Sequence, residues 1–253
     1  DVLVGGSGDD KLTAGSYWTN SYDYATNRTI YTYDAHSEVL QGGDGADTLY
    51  GGYGSDVLDG GTGADTIYGD DNVYYGSYAT ADQLKTMFND VILGGDGADR
   101  IFGGEGVDWI DAGPGNDTAE LGRGGGYLKG GDGDDRLLGD DGTDEIWGES
   151  GNDWIDVSGF GSAKGNDVVS GGDGNDTIKA TNRNINSLSL SGDAGNDSID
   201  LQYGSGNANI SLGHGVDTVQ GALQPVSVAY ITNKISQSRI FFRRKFLSHF
   251  KLL

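Results

Sequence analysis

The chain contains no cysteine, one methionine and two prolines. Without cysteine there is no disulfide framework, no thiolate metal site and no cysteine nucleophile. Two prolines exclude collagen despite 47 glycines, because a triple helix needs glycine at every third residue and abundant proline. No apolar run of about 18 residues occurs, so no transmembrane segment is expected. Bases are scarce: 16 Lys and Arg stand against 39 Asp and Glu, for a net charge of -23. Phosphate binding wants the opposite balance, so nucleic acid is not expected as a partner. Catalytic signatures are missing too. There is no H-E-x-x-H zinc motif, and His36, His214 and His249 lie far apart. Gly148-Glu149-Ser150-Gly151-Asn152 puts Asn where a G-x-S-x-G elbow needs its last Gly. No phosphate loop occurs. No catalytic residue is expected, and the chain does not read as an enzyme.

What the chain has is a repeat. Gly94 to Phe102 and Gly130 to Leu138 share the form G-G-x-G-x-D-x-U-x, with U apolar. In one register, nonamers start at 5, 42, 51, 60, 94, 103, 112, 121, 130, 139, 148, 162, 171, 192 and 212. Position six holds Asp10, Asp47, Asp56, Asp65, Asp99, Asp108, Asp117, Asp135, Asp144, Asp153, Asp167, Asp176, Asp197 and Asp217, with Gly126 the exception. Asp90 belongs to a degraded copy in the same register. Position eight is apolar from Leu12 to Val219. Asp1-Val2-Leu3-Val4 reads as the end of a further copy, so a piece of something longer is expected.

The physics of this unit can be built directly. Glycine at positions one, two and four permits positive φ and close backbone approach, so six residues close a tight turn. Positions seven to nine form a short strand in which position eight points inward. So small a strand buries its apolar residue only by stacking on neighbours, as in a solenoid. Two nonamers per coil then give two parallel sheets back to back, with turns along both edges. Copies eighteen residues apart, such as Asp47/Asp65, Asp90/Asp108, Asp99/Asp117, Asp117/Asp135 and Asp135/Asp153, fall one rung apart on one edge. Their carboxylates and the turn carbonyls offer the hard oxygens that calcium takes. Gly126 removes one carboxylate between Asp108 and Asp144, where weaker or vacant sites are expected.

This pattern resembles the RTX (repeats-in-toxin) family of secreted bacterial calcium-binding β-rolls, over residues 1 to about 220 apart from inserts. The resemblance implies an all-β fold, a parallel β-roll with two nonapeptides per coil, loaded with several Ca2+ ions. It implies that the position-six Asp residues ligate metal. It also implies that turn carbonyls complete the sites, at Gly43, Gly45, Gly52, Gly54, Gly61, Gly63, Gly95, Gly97, Gly104, Gly106, Gly113, Gly115, Gly131, Gly133, Gly172 and Gly174. Localisation is then extracellular or at the bacterial surface, with the type I secretion machinery as a partner. An RTX module of a larger secreted protease, lipase, epimerase or haemolysin is one alternative, and an adhesin or surface-layer segment another.

The roll is expected over 1–221, with inserts at 14–41, 70–88 and 157–161. The first insert carries Tyr17, Trp18, Tyr22, Tyr24, Tyr31 and Tyr33, and its alternation predicts a hairpin across Ala25-Thr26-Asn27. This aromatic insert either caps the roll or binds glycan or protein. Ala81 to Phe88 predicts a short helix over the core. Trp109 and Tyr127 should stack outward on one face with Trp147 nearby, as a binding platform or as cross-strand packing. Asp176, Asp197 and Asp217 should share one edge, with few ions on the other edge near them. Residues 222–253 have no acid and six bases. This tail is read as a secretion signal, a membrane- or partner-binding amphipathic helix from about Ser236, or a non-native read-through.

Overall fold

The computed structural model describes residues 2–14, 18–23, 28–33, 36–70, 88–158, 165–181, 187–201, 207–221, 229–233, 239–242 and 251–252. Side chains are described within 2–14, 36–70, 88–158, 165–181, 187–201 and 208–220. All regular structure among these residues is β, and all of it is parallel apart from one hairpin.

The strands form two stacks. One runs through Val39–Asp44, Val57–Thr62, Val91–Asp96 and Asp108–Pro114, pairing residues eighteen or thirty-four apart, as in Leu40↔Leu58↔Ile92↔Ile110. The other runs through Lys11–Thr13, Thr48–Tyr50, Thr66–Tyr68 and Arg100–Glu105, with Leu12↔Leu49↔Ile67↔Ile101 in register. The long strand Thr118–Asp132 belongs to both stacks, since its first part pairs with Arg100–Glu105 and its last part with Asp108–Pro114. The roll read from the nonamers is therefore the fold.

Position eight explains the core. Leu40, Leu58, Ile92, Ile110, Leu128 and Ile146 from the first stack face Leu49, Ile67, Ile101, Leu137, Ile155 and Ile178 from the second, all fully buried. Each such side chain contributes about 1.5–3 kcal/mol of burial. The turns show why glycine is required. Gly43 and Gly45 adopt φ of 112° and 137°, and a Cβ on Gly45 would run into the Gly8 carbonyl one coil below.

The inserts behave as follows. Trp18–Asp23 and Arg28–Tyr33 pair antiparallel, from Trp18↔Tyr33 to Asp23↔Arg28, so the hairpin is present and starts earlier than the alternation predicts. Its turn residues, and the helix expected over Ala81 to Phe88, lie outside the described residues except at Phe88. Phe88 is buried beside Tyr53, with ring centroids 6.1 Å apart. The third insert starts later than expected. Val157 is fully buried and donates its N–H to the Lys179 carbonyl, so it still belongs to the coil, while 159–161 lie outside the described residues.

The tail corrects one expectation. Arg239–Phe242 is a strand paired in parallel with Thr218–Gly221, where an amphipathic helix from about Ser236 was one of the three readings of the tail. Ala229–Asn233 likewise pairs with Asn207–Gly213. The last rung of a roll presents a row of free N–H and C=O groups, and a β-branched and aromatic run such as Ile240-Phe241-Phe242 suits the strand that satisfies them.

Candidate metal centre

Both edges carry a column of position-six carboxylates. On the first edge the backbone N–H of Asp10 donates to Asp47 Oδ1 at 2.7 Å, and that of Asp47 to Asp65 Oδ1 at 2.7 Å. The same bond links Asp65 to Asp99, Asp99 to Asp117, Asp117 to Asp135 and Asp135 to Asp153 at 2.7–2.8 Å. It continues from Asp153 to Asp176, Asp197 and Asp217 at 2.9–3.2 Å. Asp176, Asp197 and Asp217 thus share an edge, as the 21- and 20-residue spacings predict. On the second edge the column runs Glu38, Asp56, Asp90, Asp108 and resumes with Asp144 and Asp167.

The ladder takes Oδ1 of each carboxylate from Asp47 to Asp197 on the first edge, and of Asp56, Asp90 and Asp108 on the second. Oδ2 of Asp47, Asp65, Asp99, Asp117, Asp135, Asp153, Asp176 and Asp197 is buried without a hydrogen-bond partner, and so is Oδ2 of Asp56, Asp90 and Asp108. These residues are at most 3% exposed. A buried ionised oxygen with no partner costs several kcal/mol unless a cation meets it. The position-one glycine makes room for that oxygen: a Cβ on Gly42 would collide with both Asp47 Oδ2 and the Gly60 carbonyl oxygen of the next coil. Free carboxylate oxygen and turn carbonyls therefore meet at one place.

The electrostatics agree. Burial, opposed by the ladder hydrogen bond and aided by neighbouring carboxylates, pushes Asp99, Asp135 and Asp197 up to about 7. On the second edge burial pushes Asp56 and Asp108 up to about 8, with Asp90 adding its charge to both. Such groups are poised to exchange a proton for a metal ion.

The donor set fits calcium. It is all oxygen, since the chain has no cysteine and its described histidines are outside the columns. Among the described residues no three His, Asp or Glu side chains form a metal cage of their own. An ion here must therefore draw on turn carbonyls, the mixed carboxylate–carbonyl shell that calcium accepts. Bound there, the ion would supply positive charge to the free Oδ2 atoms and lock one coil to the next. The predicted glycines line these turns: Gly43, Gly45, Gly61, Gly63, Gly95, Gly97, Gly131, Gly133, Gly172 and Gly174 on the first edge, and Gly52, Gly54, Gly104 and Gly106 on the second, all at positive φ. Gly113 has φ 103°, and Gly115 lies against the Gly97 carbonyl.

The second edge has two breaks. At Gly126 the carboxylate column is replaced by direct backbone pairing, Asp108↔Gly126↔Asp144. Beyond Asp167 the position is taken by Leu188 and Ala208, both buried. The carboxylates near the C-terminal rungs are thus confined to the first edge.

Three features escaped the sequence reading. Glu38 occupies position six of a nonamer that lacks its glycines, donates its N–H to Asp56 Oδ1 at 2.8 Å and keeps Oε2 buried and unpartnered. Asp70 is a further buried carboxylate, at position two of the repeat where glycine is the rule. Position five builds a second ladder of opposite polarity: the N–H groups of Asp134, Asn152, Asn175, Asn196 and Val216 donate to Asn116, Asp134, Asn152, Asn175 and Asn196 one coil back, at 2.7–2.9 Å.

The outward aromatics are packed on each other. Trp109 and Tyr127 stack with centroids 5.9 Å apart and planes 7° apart. Trp147 is in another column, beside Lys129. Tyr50, Tyr68 and Phe102 form a ladder on the other sheet at 4.9 and 5.1 Å. In such ladders ring faces meet ring faces, which leaves edges for solvent.

The RTX calcium-binding nonapeptide repeat model, built of four copies, matches residues 1–16, 34–67, 51–77, 86–119, 122–157 and 163–181. The search of curated proteins found no match. With matches over more than half of its length, and with the stacked carboxylate turns described above, the chain belongs to the RTX calcium-binding nonapeptide repeat family.

Proposed function

We propose that this roll is a non-catalytic module that folds when it binds calcium outside the cell and acts as a structural or export-assisting element of a secreted bacterial protein. The observation that carries the reading is the column of buried, unpartnered Oδ2 atoms on the first edge. Ionised and without a cation they repel, and a core of one or two apolar residues per nonamer is too small to offset that. Metal binding is then part of the folding free energy. Extracellular calcium modules bind at about 10⁻⁴ to 10⁻³ M, which matches calcium outside cells and leaves the chain unfolded where free calcium is low. An unfolded chain suits passage through a type I secretion channel. Non-catalytic action is favoured because the position-six carboxylates are committed to the ladder and the ion. Calorimetric titration with far-ultraviolet circular dichroism tests the reading. Several ions bound with a rise in β-signal is the expected result; no binding, or equal β-content in chelator and in millimolar calcium, overturns it.

A further inference from the structure

The second edge departs from the repeat between Asp56 and Asp108. One nonamer there is split: Gly69 and Asp70 hold positions one and two, residues 71–87 intervene, and Phe88, Asn89 and Asp90 hold positions four to six. Both ends are fastened to the next coil. Gly69 and Asp70 donate to the carbonyls of Phe102 and Gly103 at 2.8 and 3.2 Å, and Asp90 N–H donates to Asp108 Oδ1 at 2.9 Å. Position two is glycine in the adjoining turns, at Gly52 and Gly104. Here it carries a carboxyl that is only 7% exposed. Asp70 Oδ2 accepts the Glu105 N–H at 2.7 Å, while Oδ1 is buried with no hydrogen-bond partner. The charges acting on it, led by Asp90, are all negative.

We infer that Asp70 joins Asp90 as a second carboxylate ligand of the divalent cation at the split turn, which is held between the free Oδ1 of Asp70 and the free Oδ2 of Asp90. The inference rests on the calcium-binding function proposed above and adds a ligand that the nonapeptide does not encode. A consensus turn supplies one carboxylate and takes its other ligands from an unbroken backbone. Here the backbone leaves after position two, and a second carboxylate stands beside the break. Exchanging neutral for anionic ligands raises calcium affinity. The ion also ties together Asp70 and Asp90, the described residues on either side of 71–87.

The test is ion counting on the full chain, wild type against D70N, by calorimetric titration from the calcium-free state. Asn keeps an acceptor for the Glu105 N–H and removes the charge. D70N is expected to lose or weaken one ion, with the remaining ions unchanged. Equal stoichiometry and equal affinities overturn the site. If D70N does not fold, the wild type crystallised with calcium decides. An anomalous calcium peak beside Asp70 Oδ1 supports the site, and its absence with peaks in other turns overturns it. A wild type that binds no calcium at all would instead overturn the function on which the inference rests.

Discussion

The N–H of Asp117 donates to Oδ1 of Asp135 at 2.8 Å, one coil on, and Oδ2 of Asp135 is left buried with no partner. One carboxylate therefore does two separable jobs. Asp135→Asn keeps an acceptor for the amide and removes the charge. We expect the calcium midpoint of folding to rise on the order of tenfold, since ligand charge sets calcium affinity. Asp135→Ala also strands a buried N–H, at a cost of about 1–3 kcal/mol. In saturating calcium the alanine variant should melt below the asparagine variant. Equal melting temperatures would show that the ladder bond contributes nothing.

Acid should fold the calcium-free chain. Burial raises Asp56 and Asp108 to about 8, Asp90, Asp99, Asp135, Asp144 and Asp197 to about 7, and Asp117, Asp153, Asp167 and Asp176 to about 6. Each folded-state value lies above that of an unfolded Asp, about 3.9. The folded state therefore binds more protons, and its stability is greatest below pH 4 and is lost as pH rises from about 6 to 8. In chelator, β-signal should grow as pH falls through that window. With calcium the direction reverses, because protons compete for the same oxygens. Circular dichroism from pH 8 to 4, in dilute protein with and without chelator, reads both slopes. A flat profile in chelator would contradict the burial of these carboxylates.

How far this was readable in advance depends on which residues followed the period. Asp47 to Asp217 and Leu12 to Val219 were legible because two fixed phases, six and eight, map onto turn and core. Glu38 obeys the same count, but His36-Ser37 stand where glycine would flag the turn. Asp70 was hidden because an insert separates the two halves of its nonamer. The position-five amide ladder from Asn116 to Asn196 sits at a variable position, and its bonds exist only once coils are a strand spacing apart. At Arg239–Phe242 the helical pattern lost to an open rung that had backbone groups to satisfy.

Position two should discriminate sharply between glycine and other residues. Glu149 occupies it at φ 75°, a left-handed conformation that costs a side chain about 1–2 kcal/mol. Its ion pair with Lys129 at 3.1 Å is partly exposed and worth at most about 1 kcal/mol. Glu149→Gly should therefore raise stability by about 0.5 kcal/mol in saturating calcium. Gly133→Ala, at position four with φ 136° and a Cβ driven into the Gly115 carbonyl, should lower it by more than about 2 kcal/mol. Urea unfolding in fixed calcium measures both. Opposite signs are required, and a stabilising Gly133→Ala would mean that the coils are not packed this closely.

Gly126→Asp would restore the repeat consensus on paper and complete the second-edge column between Asp108 and Asp144. The structure argues that it will not add a site. Gly126 has φ 147° and pairs directly with Asp108 and Asp144 within the long strand Thr118–Asp132. A Cβ there would strike the Asp108 carbonyl and crowd its N–H. Gly125, at φ 88°, is as tightly held against Thr143. The new carboxylate can enter only if two coils part, which breaks ladder bonds on both sides. Gly126→Asp should therefore bind no more calcium than the wild type and lose more than about 2 kcal/mol, with Gly126→Ala losing a similar amount. Calorimetric ion counts together with urea midpoints decide. An extra ion in Gly126→Asp, with stability kept, would mean that the break is a missing ligand alone and that the backbone there is free to turn like its neighbours.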